Sequence, residues 1–102
     1  MRFKVEYNPD FYDDIEKAVD FNNNRRNGWG DKLFLIVKKQ TASLSKSALS
    51  FGIKYDDIRC MPVNKFPYLV HYRATIQTKT VKVEALIHTS RGPEVWKEKI
   101  DS

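Results

Sequence analysis

Apolar and polar positions alternate from the first residues. Phe3, Val5 and Tyr7 fall on one side and Arg2, Lys4 and Glu6 on the other, the period of a half-buried strand. Asn8-Pro9 ends that strand and opens a helix: Asn8 caps free N–H groups, and Pro9 suits the first helical position. Asp10, Asp13 and Asp14 crowd the first turns and Arg25 and Arg26 the last, matching the helix dipole. Phe11, Ile15, Ala18 and Val19 form the inner stripe. Asn22-Asn23-Asn24 and Asn27-Gly28-Trp29-Gly30 mark a break. A second helix is expected from Asp31 to about Ser50, with Leu33, Phe34, Val37, Thr41, Leu44 and Ala48 facing inward. The serines at 43, 45, 47 and 50 weaken its last turns, and Gly52 ends it. Two helices with a short connection predict an antiparallel hairpin.

Three strands follow, at Ile58–Pro62, Phe66–Thr75 and Thr80–Thr89. A turn at Gln77-Thr78 sets Ala74 opposite Val81, Tyr72 opposite Val83, Val70 opposite Ala85 and Tyr68 opposite Ile87. That face is apolar and is expected to pack on the helices. The other face then carries Leu69 across from Leu86, His71 across from Glu84, and the like-charged Arg73 across from Lys82. A three-residue turn at Val63-Asn64-Lys65 sends Ile58 and Cys60 to the core and Arg59 to the polar face. Beyond the last strand, Pro93 starts a turn of helix and Trp96 folds back on the sheet. The expected fold is α+β: an N-terminal strand, a helix hairpin on one face of a three- to four-stranded mainly antiparallel sheet, and a short C-terminal helical turn.

The 102 residues are read as one domain, 1–102. A hydrophobic fraction of 41% excludes disorder. The lone cysteine, Cys60, excludes an internal disulfide and points to a reducing, cytoplasmic setting. No stretch is apolar and long enough for a signal peptide or a membrane span. Charge is uneven. From Arg59 to Arg91 the cations Arg59, Lys65, Arg73, Lys79, Lys82 and Arg91 face Glu84 alone, so this stretch carries the whole net +5. A basic half on a neutral body is suited to an acidic partner.

P-loop, dinucleotide-binding and nucleophile-elbow motifs are absent. His71, His88 and Cys60 lack metal-ligand spacing, so neither a metal nor a cofactor is expected. A Cys–His nucleophile needs Cys60 beside a histidine, and the expected register turns it to the core. His88 and Arg91 are the candidates for chemistry, a proton carrier and a phosphate holder. The alternative reading has His88 ending a strand, Arg91 pairing with Glu94 or the last carbonyls, and Trp96 filling the sheet edge.

Ile58-Arg-Cys-Met-Pro62, Phe66-Pro-Tyr-Leu-Val-His-Tyr-Arg73 and Ala85-Leu-Ile-His-Thr-Ser-Arg-Gly-Pro-Glu-Val-Trp96, in an order of strand, helix hairpin and meander, resemble the RelE/ParE toxins of bacterial toxin–antitoxin pairs. The resemblance covers nearly the whole chain. It implies one of two activities: metal-independent cleavage of mRNA on the ribosome by RelE-like members, or poisoning of DNA gyrase by ParE-like ones. Tyr68 stands where the nuclease pattern has an arginine, and Trp96 where it has a tyrosine. The chain therefore resembles the ParE-like, plasmid-stabilisation branch more closely. The resemblance also implies a cognate antitoxin, whose binding segment is typically acidic.

The expected function is the toxin of a type II pair, acting through a basic sheet face on a gyrase-type target and neutralised by its antitoxin. The alternatives are a ribosome-dependent mRNA endonuclease and an inactive, binding-only relative. The expected binding face is Arg59, Lys65, Tyr68, His88, Arg91 and Trp96.

Overall fold

Asn8 opens the first helix as its side chain dictates: its Oδ1 accepts a hydrogen bond from the Asp10 N–H at 2.9 Å, and Pro9 takes the first helical position. In the computed structural model, which describes residues 2–101, strand β1 (Lys4–Tyr7) leads into helix α1 (Pro9–Arg25) and helix α2 (Trp29–Ser47). Strands β2 (Ile53–Tyr55), β3 (Ile58–Pro62), β4 (Tyr68–Thr75) and β5 (Thr80–His88) follow, then helix α3 (Pro93–Asp101). The five strands form one sheet in the order β1-β5-β4-β3-β2. Only the β1–β5 pair is parallel. The α+β class and the hairpin stand as expected, and β2 extends the sheet by a strand the pattern did not announce.

The break between helices is shorter than the asparagine run suggested. Asn22, Asn23 and Asn24 remain in α1. Gly28, at φ 82°, turns the chain, and Asn23 Oδ1 then accepts from the Gly30 N–H (2.7 Å) and the Asp31 N–H (3.3 Å). Thus α1 caps α2 from the side, because the residue preceding α2 is a glycine with no side chain to do it. Leu33, Val37, Thr41, Leu44 and Ala48 are buried as expected. Phe34 is not: it is 42% exposed, because it lies one position round the helix from Leu33 and outside the stripe facing the sheet. Trp29 packs at the core's edge, its ring 4.8 Å from that of Phe66.

The register of the meander departs from expectation in two places, with one consequence. Near the turn, Ala74–Val81, Arg73–Lys82 and Tyr72–Val83 pair as expected. Then β5 bulges at Glu84: His71 pairs with Ala85, Val70 with Leu86, Leu69 with Ile87 and Tyr68 with His88. One extra residue in β5 sends every later side chain to the other face. Leu86 therefore joins Val70 and Tyr68 in the core beside the helices. The β3–β4 connection is also longer than three residues. Pro62 pairs with Leu69 and Cys60 with His71, with Lys65 at φ 69° in the turn. Met61 consequently faces the helices with Tyr72 and Val70. Ile58 and Cys60 lie on the far face with His71, and Arg59 leaves it.

The bulge has a polar reason. Glu84, 9% exposed, accepts from Asn8 Nδ2 (3.0 Å) and from Arg73 Nε (3.0 Å), and Arg73 also pairs with Asp57. The Arg73–Lys82 repulsion is thus screened by two carboxylates. Removing Arg73 strands a buried carboxylate. Arg73→Ala is expected to cost about 2 kcal/mol by urea denaturation, below the roughly 3–5 kcal/mol of a fully buried pair because Arg73 is a third exposed.

Candidate functional site

The expected binding face is split by the tertiary structure. Arg59 bonds the Phe51 carbonyl through Nη1 at 2.6 Å and stays at the edge near β2. Lys65 is exposed in the β3–β4 turn, where Asn64 N–H donates to Gln40 Oε1 at 2.8 Å. Trp96 lies over the far face, 5.0 Å from the His71 ring and 5.5 Å from that of Tyr55. Its Nε1 is the buried side-chain nitrogen left without a hydrogen-bond partner among the described residues. The far face is therefore not a basic surface. Its centre is Ile58, Cys60, His71, Ala85 and Ile87, all buried, and Arg73 at its margin is neutralised.

Tyr68, His88 and Arg91 do come together. They line a cavity of about 620 Å³ between α1 and α3 at the end of β5, with Lys17, Phe21, Ser90 and Lys99 in its wall. Sequence reading missed the α1 side of this cavity, since Lys17 and Phe21 carry no motif. The helical period was the available signal: Lys17 and Phe21 flank the buried stripe at Ala18.

Asp14 builds the cavity's floor. Its Oδ2 accepts the Leu86 N–H at 3.0 Å, covering the β5 edge beyond the point where β1 ends. Its Oδ1 pairs with Lys99 Nζ at 2.6 Å, tying α3 to α1. Asp14 is thus spent on structure. Lys17 and Arg91 form no ion pair among the described residues. The cavity carries three cations against one satisfied carboxylate and favours an anion.

His88 is held in one form. Its Nδ1 accepts the Ser90 N–H at 3.1 Å and meets Ser90 Oγ at 2.8 Å. A lone pair at Nδ1 places the ring proton on Nε2, so neutral His88 presents a donor there and not a base. Its ring stands edge-on to Tyr68 at 5.3 Å. Tyr68 itself is 7% exposed, and its hydroxyl accepts from Asn22 Nδ2 at 3.1 Å. The arrangement can hold an anion through Arg91, Lys17 and a His88 N–H. Its hydroxyl beside an imidazole nitrogen is Ser90 Oγ, 2.8 Å from His88 Nδ1, and that nitrogen already accepts the Ser90 N–H.

The one thiol–imidazole contact lies elsewhere, under α3. Cys60 Sγ is 3.4 Å from His71 Nδ1, contrary to the expected separation. Proximity does not activate it. Burial pushes the thiol up to about 11, despite some opposition from Lys54, and lowers His71 to about 4. Both are neutral near pH 7, and proton transfer from thiol to imidazole runs steeply uphill. No group of three His, Cys, Asp or Glu side chains converges as a metal site among the described residues.

Protein-family models and curated protein sequences return no match to this chain. Solved structures do. A chain of the chromosomal ParDE toxin–antitoxin system from P. aeruginosa superposes with a TM-score of 0.74 at 12% identity, covering 85% of this chain and 96% of that one. The chain has the RelE/ParE toxin fold. A free-state E. coli toxin RelE, carrying two arginine-to-alanine changes, superposes with a TM-score of 0.71 at 13% identity, over 99% of this chain and 97% of that one. The two structures superpose about equally well, so backbone likeness does not separate the ParE-like from the RelE-like branch. No helix among the described residues is long and apolar enough to cross a membrane.

Proposed function

We propose that this protein is the toxin of a type II toxin–antitoxin pair and that its cavity at the end of β5 binds an acidic target. The observation that carries the reading is the convergence of Arg91, Lys17 and the His88 Nε2–H on one cavity. The RelE/ParE fold along most of the chain supports it. A gyrase-type target is favoured over mRNA cleavage on three grounds. The His88 lone pair is spent on Ser90, the Tyr68 hydroxyl is held by Asn22, and Trp96 stands on the opposite face. General acid–base cleavage of RNA needs a free base within reach of the 2′-hydroxyl.

Induced expression without an antitoxin is expected to arrest growth, and purified protein to inhibit supercoiling by gyrase. Ribosome-dependent mRNA cleavage in a cell-free extract would establish the nuclease instead, and normal growth a binding-only relative. Arg91→Ala is the decisive substitution. Losing one charge-assisted contact of about 1.5–3 kcal/mol should weaken target inhibition roughly ten- to a hundredfold. Arg91 is exposed, so its melting curve should stay within about 0.5 kcal/mol of wild type.

A further inference from the structure

Charge is segregated along the chain in a way that the cavity at the end of β5 does not use. Lys32 to Tyr55 holds five lysines and no acid, and Ile58 to Val83 holds five cations and no acid. The fold lays part of the second stretch along the first. Gln40, midway along α2, donates from Nε2 to the Pro62 carbonyl at 3.0 Å and accepts the Asn64 N–H at 2.8 Å. The same turn is fixed to the start of α2, where the Phe66 ring lies 4.8 Å from that of Trp29. The β3–β4 turn, with Lys65 exposed in it, therefore lies along α2. Lys32, Lys39 and Lys46 stand two turns apart on that helix, exposed, on the side away from the buried Leu33, Val37 and Leu44. Arg26 extends the row at its start, where it and Lys32 lie over the Trp29 ring at 4.9 and 5.0 Å. None of these cations forms an ion pair among the described residues. Asp31, the one acid of α2, is bonded instead by Asn23 Nδ2 at 3.2 Å.

We infer that this face docks the phosphate backbone of duplex DNA without reading its sequence. Like charges held on a helix and a stapled turn repel one another, and a polyanion that lies along them relieves the repulsion and releases counterions. Lysines act on phosphates as point charges, whereas base edges are read by bidentate arginine, asparagine or glutamine. The amide on this side, Gln40, is consumed by the turn. Lysines seven residues apart are separated by about 10.5 Å, close to the roughly 12 Å opening of the major groove of B-form DNA. Neighbouring lysines therefore reach phosphates on its two sides. The narrow major groove of A-form RNA matches that spacing less well. Single strands are held by exposed aromatic platforms, and Trp29 is already covered by Arg26, Lys32 and Phe66. A bilayer surface needs a free apolar helix face, and the apolar stripe of α2 is buried in the core. The inference is independent of what the cavity at the end of β5 binds.

The test titrates the full-length protein into a fluorescent duplex of about 20 base pairs of arbitrary sequence and follows anisotropy as salt is raised. Five phosphate contacts predict a log–log salt slope of about −4, a loss of roughly two hundredfold in affinity between about 50 and about 200 mM salt. Lys39→Gln with Lys46→Gln should reduce the slope by about two and the affinity by about tenfold or more, with an unchanged melting curve. Lys4→Gln with Lys82→Gln removes the same charge from exposed positions of β1 and β5 and should leave affinity within about twofold. Equal losses in the two double variants would reduce the effect to net charge and overturn the inference. So would the absence of binding at about 50 mM salt, or tighter binding to duplex RNA or to phosphatidylserine vesicles. Gyrase inhibition is scored separately, so failure here leaves the reading of the cavity standing.

Discussion

Gly30→Ala is expected to lower stability by about 3 kcal/mol, the upper end of overpacking costs. A methyl group at this position would lie 2.1 Å from the Val19 carbonyl oxygen and 2.8 Å from Asn23 Cγ. The oxygen belongs to the α1 backbone, so no side-chain rotation relieves the contact. Relief requires α2 to move away from α1. That movement stretches the 2.7 Å bond from Gly30 N–H to Asn23 Oδ1 and uncaps α2. It also disturbs Asn22, whose amide holds the Tyr68 hydroxyl at the cavity wall. The intrinsic preference of helices for alanine over glycine works the other way by roughly 1 kcal/mol. Urea denaturation checks the balance: the midpoint should fall with an unchanged slope. A midpoint that rises would show the two helices to be free to separate at this point.

His71 supplies the second large effect, on the dependence of stability on pH. The ring is fully buried among Tyr55, Cys60 and Trp96, with Tyr55 Oη at 3.1 Å from Nδ1. No carboxylate bonds it, so burial alone lowers it from 6.5 to about 4. The unfolded chain therefore binds a proton at a higher pH than the folded one does. The contribution of neutral His71 is complete above about pH 6.5 and is lost as pH falls toward about 4. Over that interval stability should drop by about 1.4 kcal/mol per pH unit, about 3 kcal/mol in all. In His71→Gln this component of the slope should vanish, while other acid-titrating groups contribute equally to both proteins. Parallel pH profiles for the two would refute a buried neutral imidazole. The helix most exposed to the change is α3, because its Trp96 rests on the His71 ring.

These two effects divide between what could and could not be read from the chain. The crowding at Gly30 was partly legible: two glycines around Trp29 announced a tight helix connection. That Asn23 would cap α2 from a neighbouring helix was not, since a cap is normally sought immediately before the helix it serves. The face of His71 followed from strand alternation, but its neighbours did not: the longer β3–β4 connection brings Cys60 opposite it, and one residue inserted in β5 puts Ala85 there. Glu84 is that residue, and its partners Asn8 and Arg73 come from remote points of the chain.

The candidate site shows the same division. Arg91 and His88 stood out because a histidine and an arginine ending a strand are unusual chemistry in a short chain. Tyr68 joined them through its pairing with His88, although a different partner was expected. Arg59, Lys65 and Trp96 were grouped with them by charge and proximity in sequence, neither of which measures distance across a sheet. Lys17 and Phe21 were missed because a wall contributed by the outer flank of a helix has no motif.

The sequence by itself determined the elements. Strict alternation, a capped apolar stripe and glycine-marked breaks act within a few residues, and they placed both long helices and four of the five strands. It also determined the sign of the charge and the absence of a disulfide. The tertiary structure alone decided which face β3 and the end of β5 present: the longer β3–β4 connection turns β3 over, and a bulge at Glu84, a buried carboxylate with distant partners, reverses the alternation of β5 beyond it. It also decided that the basic residues of the expected face scatter, that Cys60 meets His71 without being activated, and that the turn carrying Lys65 lies along α2. Each of these depends on atoms far apart in the chain, where period and composition carry no information.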